Sequence, residues 1–101
     1  MLGYFLTEKN TTCLKSTGTL VDDLETCKKA VAIVKKNIST ARFVNKEDDG
    51  DWPKGCYLYS PDKVYFNDHL SGSSNERAQQ ICNLKGIEQY YYEVKFQQTL
   101  L

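Results

Sequence analysis

Four cysteines, Cys13, Cys27, Cys56 and Cys82, are spread along 101 residues with 13, 28 and 25 residues between them. That spacing is the tightest constraint on the fold. Zinc ribbons and fingers take their ligands in close pairs, and thioredoxin-like redox sites need Cys-x-x-Cys, so neither fits a chain without a close pair. Two disulfides are the better reading, because a chain this short has room for one thin core and gains from covalent help. On a chain-entropy model, each loop closed here would contribute roughly 3.5 to 4.5 kcal/mol. That is comparable with the net stability of a whole small domain. Three pairings are possible, and spacing does not choose among them. A helix cysteine tied to a neighbouring strand, with the outer pair closing the domain, favours Cys27 with Cys56 and Cys13 with Cys82.

Disulfides imply an oxidising compartment, and two glycosylation sequons, Asn10-Thr11-Thr12 and Asn37-Ile38-Ser39, point the same way. The expectation is a secreted, extracellular protein. Met1-Leu2-Gly3 is not followed by a basic region and a sustained apolar run, so it does not read as a signal peptide. The chain reads as a mature form, an excised domain or a fragment of something longer. Its 13 basic and 13 acidic residues cancel, which leaves no phosphate-tracking surface and argues against nucleic-acid binding. Apolar runs of four or five residues are too short for membrane insertion.

Along the chain, Gly3 to Thr7 reads as an opening strand and Ser16-Thr17-Gly18 as a turn. Val21, Leu24, Cys27, Val31 and Val34 recur at helical steps, with acids at Asp22, Asp23 and Glu25 and bases at Lys35 and Lys36 suiting the helix dipole. This predicts a helix from Val21 to Lys36 with Cys27 on its buried face. A short strand follows around Ala41 to Val44, then an acidic loop from Asn45 to Asp51. Its acids lack the alternate spacing and distal glutamate of a calcium loop, so no metal is expected. Two strands flanking Ser60-Pro61-Asp62 form a hairpin. Alternation puts Cys56 and Leu58 toward the helix and Tyr57 and Tyr59 on the opposite face. Asp68 to Asn75 reads as a polar surface loop, and Gln89 to Gln98 as a long aromatic strand.

His69 is the only histidine. Its loop holds Asp68, Ser71, Ser73 and Ser74 but no nucleophile-elbow motif, and the cysteines are used as staples. No catalytic residue, metal ligand or cofactor is assigned. The seven tyrosines and single tryptophan are the informative excess, because aromatic faces with polar rims bind sugars and proteins. Tyr57, Tyr59, Tyr65 and Tyr91 are the candidate ligand-binding residues; Trp52-Pro53 is expected to plug one end of the core beside a disulfide.

Trp52-Pro53-Lys54-Gly55-Cys56-Tyr57, Val64-Tyr65-Phe66-Asn67, Gly72 and Gln80-Ile81-Cys82, preceded by the helix segment Leu24 to Ala30, occur together as a set. It resembles a small cysteine-containing module of uncharacterised surface proteins of marine protists and algae. The resemblance spans about Gly3 to Cys82 and implies an extracellular fold more than a function. The cysteine order and single helix also resemble PAN/apple domains, which implies binding of protein or carbohydrate.

One domain over residues 1–101 is expected, with a core at about 3–82 and a C-terminal strand extension at 83–101. The fold class is α+β, with one amphipathic helix on a four- to five-stranded antiparallel sheet and two disulfides. The expected role is non-enzymatic recognition or adhesion, with a glycan or protein as ligand. The alternative is a structural subunit whose Tyr90, Tyr92, Val94 and Phe96 pair with another copy to give an oligomer or extracellular filament. A neutral chain has little self-repulsion to oppose such pairing.

Overall fold

The computed structural model describes residues 3–14 and 18–84. Its elements are β1 (Tyr4–Leu6), β2 (Gly18–Leu20), α1 (Leu24–Val34), β3 (Arg42–Glu47), β4 (Gly55–Tyr59), β5 (Lys63–Asn67) and β6 (Ala78–Leu84). The class is α+β, one helix on a sheet, but the sheet has six strands and is mixed rather than antiparallel throughout. Among the described residues no helix is long and apolar enough to cross a membrane.

Helix α1 buries Cys27, Ala30, Val31 and Val34, the stripe set by its apolar spacing. It starts at Leu24 rather than Val21 because Asp23 caps it: the Asp23 backbone is extended, and its carboxylate accepts the Thr26 N–H at 2.9 Å. Val21 is fully buried all the same, carried into the core by the segment that approaches the helix. That segment crosses the start of β4 at Gly55. There φ is +82° and a Cβ would sit 2.7 Å from the Val21 carbonyl oxygen, so the crossing requires glycine. The helix stops at Val34, and residues 35–37 form hydrogen-bonded turns on its last carbonyls.

The sheet order is β1-β6-β4-β5-β3. Strand β6 pairs with β4 through Ala78 to Gln80 and, farther along the same edge, with β2 through Cys82 to Leu84; β1 takes its other edge. All pairs are antiparallel except β3 with β5. The reason is the segment 48–54, which carries the chain past one strand position before β4 begins. The hairpin then returns β5 into the gap between β4 and β3, parallel to β3. Asn67, at the end of β5, holds this crossing segment in place. Its Nδ2 donates to the carbonyls of Asp49 at 2.7 Å and Trp52 at 3.0 Å, and its Oδ1 accepts from the Asp49 and His69 N–H groups.

Three expectations are corrected. Gly18 opens strand β2 rather than ending a turn, because β6 offers it an edge. The acidic loop begins later than Asn45: β3 runs to Glu47 around an unpaired Val44. Asn83 and Leu84 are the end of β6 and not part of an extension. The predicted strand at 89–98, with Tyr90, Tyr91, Tyr92, Val94 and Phe96, lies outside the described residues.

The disulfides join Cys13 to Cys82 and Cys27 to Cys56, with Cα–Cα distances of 5.6 and 5.3 Å. They sit on opposite faces of the sheet. Cys27–Cys56 ties α1 to the inner face, where Leu58, Val64, Phe66 and Ile81 pack with Val21 and the helix stripe. Each such side chain buried contributes about 1.5 to 3 kcal/mol. Cys13–Cys82 ties the loop after β1 to the outer face, where no helix of the described residues lies.

Candidate functional site

Strict alternation along β4 turns Tyr57 and Tyr59 outward while Cys56 and Leu58 point in. Tyr57 is paired in register with Tyr65 of β5, and their rings stack with centroids 5.6 Å apart and planes 22° apart. Trp52, in the crossing segment that Asn67 anchors, stacks on Tyr57 at 5.9 Å and 4° and meets Tyr59 edge-on at 5.3 Å and 78°. Tyr57 is therefore the middle ring of three. The sequence expectation that it faces a ligand is corrected: it is 2% exposed, because Trp52 and Tyr65 cover it. Tyr59 and Tyr65 are half-buried. Trp52 does not plug the core either; it lies on the face opposite the helix, and only Pro53 beside it is buried.

The Tyr57 hydroxyl donates to Glu47 on β3. Burial first, and the Glu47 hydrogen bond and charge next, push its pKa well above the usual phenol range. The hydroxyl thus stays protonated and committed to Glu47, a structural tie across β3, β5 and β4 rather than an acid available to a substrate.

Trp52 also lines a shallow, open cleft together with Asn10, Ser74, Asn75, Glu76 and Arg77. Three loops meet there, and backbone hydrogen bonds hold them together. The Asn10 N–H, in a turn with φ of 58°, is shared between the Asn75 and Ala78 carbonyls at 3.1 and 3.2 Å. The Asn75 side chain accepts the Arg77 N–H at 2.9 Å. Ser73 N–H donates to the Trp52 carbonyl at 2.9 Å, next to Gly72. A Cβ at Gly72, where φ is +67°, would fall 2.6 Å from that carbonyl oxygen, so glycine is needed for the loops to meet. The Arg77 side chain is exposed and forms no ion pair with the described residues. The cleft therefore offers an aromatic ring, a free guanidinium, a carboxylate, amides and a hydroxyl on a frame that is already organised.

His69 serves its own loop. Its Nδ1 accepts the Ser71 and Gly72 N–H groups at 3.2 Å, and its carbonyl accepts the Lys54 Nζ at 2.7 Å. Sequence reasoning brought Tyr57, Tyr59 and Tyr65 together but missed Asn75, Glu76 and Arg77. The only signal for them was the polar loop from Asp68 to Asn75, which ends where the cleft begins. Asn37, the second sequon residue, lies away from this face, in a groove of about 300 Å³ lined by Tyr4, Phe5, Leu6 and the end of α1.

No family model, curated protein or solved structure matches the chain.

Proposed function

We propose that this protein is a non-enzymatic extracellular recognition module that binds glycan in the cleft beside Trp52. The observation that carries this reading is the setting of the single tryptophan, which is braced by Tyr57 and bordered by polar side chains of the two loops tethered to its own. A sugar ring has an apolar C–H face that packs on an indole and a rim of hydroxyls that exchange hydrogen bonds with amides, carboxylates and guanidinium groups. Loops already tied by backbone hydrogen bonds lose little entropy on binding, which favours affinity from a small contact area. Two disulfides, two sequons and the resemblance to extracellular modules support the compartment.

Glycan-array binding by a monodisperse monomer tests it. The native chain is expected to retain a defined subset of glycans, and Trp52→Ala to lose them by at least tenfold while remaining folded. An array without hits from folded protein, or hits indifferent to Trp52→Ala, overturns the reading. The second reading is assembly into a filament or matrix through terminal strands. It is favoured by β1, which ends the sheet with an edge that has no partner among the described residues. Concentration-dependent light scattering without a sugar ligand would support it.

A further inference from the structure

The cleft and a modification motif share a residue. Asn10 opens the sequon Asn10-Thr11-Thr12 and is also a wall of the Trp52 cleft. Its side chain is exposed and takes no hydrogen bond from the described residues, while its backbone is fixed by the bonds to Asn75 and Ala78. A substituent on Nδ2 therefore springs from a backbone position that is tethered on the rim of the cleft that Trp52 also lines.

We propose that an N-linked glycan on Asn10 lies across Trp52 and fills the cleft, so that modification of Asn10 and ligand binding at Trp52 exclude one another. This rests on the glycan-binding reading for its second half. The bond is supplied by the transferase of the secretory pathway. The Asn10 amide nitrogen attacks the anomeric carbon of a lipid-diphosphate-linked oligosaccharide and forms the C–N bond. The C–O bond to the diphosphate breaks, the diphosphate leaves with its electron pair, and one amide proton passes to a base of the transferase; no group is oxidised or reduced. The attached sugars then meet the surface that would receive a free sugar, at an effective concentration on the order of millimolar. The unmodified chain is open, and the modified chain carries its own occupant. Asn37 provides the internal contrast, because it lines the groove at the end of α1, which shares no lining residue with the Trp52 cleft.

Trp52 is the only tryptophan, so its emission reports on the cleft alone. The full chain from a glycosylating secretory host is compared with Thr12→Ala, with Ser39→Ala and with enzymatically deglycosylated protein. Mass spectrometry reads occupancy of each sequon, and acrylamide quenching reads access to Trp52. The glycan on Asn10 should lower the quenching constant at least twofold; Thr12→Ala and deglycosylation should restore it, and Ser39→Ala should leave it unchanged. Affinity for array-positive oligosaccharides should fall at least tenfold in the Asn10-modified form. An unmodified Asn10, or equal quenching in all forms, overturns the proposal. Oligosaccharide binding that ignores Asn10 occupancy overturns the exclusion and spares the glycan-binding reading. Protection of Trp52 in a protein that binds no oligosaccharide in any form sinks that reading and leaves the capping intact.

Discussion

The two faces of the sheet are built from alternate residues of the same strands and solve different problems. Inward, Cys56, Leu58, Val64, Phe66 and Ile81 meet a helix and need no polar partner. Outward, Tyr57, Tyr59, Tyr65 and Gln80 meet loops and one another, and ring stacking there is joined by polar contacts. Tyr57 donates to Glu47, and Gln80 donates to the Lys54 carbonyl at 2.8 Å and accepts the Cys13 N–H at 2.6 Å. A helix gives a face shape and burial; loops give it chemistry. Stability should therefore reside mainly inside and recognition outside, and substitutions on each face should separate the two.

The largest effect is expected on the inner face. Leu58→Ala should lower unfolding free energy by about 2 to 5 kcal/mol, since the side chain is 1% exposed and packed between helix and sheet. Denaturant titration measures it. Next is Tyr57→Phe, which keeps the stacked ring and leaves the Glu47 carboxylate without its donor. A cost of about 1 to 3 kcal/mol follows, with glycan binding weakened only slightly because the hydroxyl does not face the cleft. Trp52→Ala should cost about 0.5 to 1.5 kcal/mol for each of its two ring pairs beyond the area it uncovers, less than Leu58→Ala because Trp52 is only half-buried, and yet remove binding. If Trp52→Ala destabilised the chain as much as Leu58→Ala, the division between the faces would fail.

The smallest effect concerns the helix start. Hydrogen bonds from Thr26, side chain first and backbone next, hold the Asp23 carboxyl below its ordinary 3.8. A depressed carboxyl stabilises the fold at pH values above its unfolded pKa, and the contribution is lost as pH falls through the folded value. Asp23→Ala should accordingly melt earlier than the native chain at neutral pH, with the gap closing below about pH 3.8. A gap unchanged at pH 2 would contradict the cap.

How much of this was legible in the sequence follows from the same contrast. The helix stripe and the β4–β5 hairpin are local patterns with one buried side, so the inner face could be read from Cys27, Leu58 and their neighbours. Strand β6 could not. It is covered on both faces, so alternation is lost, and its Gln79 and Gln80 read as surface residues although Gln80 is 4% exposed and hydrogen-bonded at both its amide nitrogen and its oxygen. The parallel pairing of β3 with β5 depends on a segment stepping past a strand, which no local period encodes. The cleft was hidden for the same reason. Asn10, Trp52 and Arg77 meet only because Asn67, Gly72 and the Asn75 turn bring three distant loops together.

Arg77 is the cleanest probe of the account, because it lines the cleft, is exposed and has no ion-pair partner among the described residues whose loss would destabilise the fold. The most direct test is calorimetric titration of an array-positive oligosaccharide into native protein and Arg77→Gln, with melting curves of both. Unchanged melting with at least tenfold weaker binding is the predicted result. Unchanged affinity, or a melting point that falls along with binding, would contradict it.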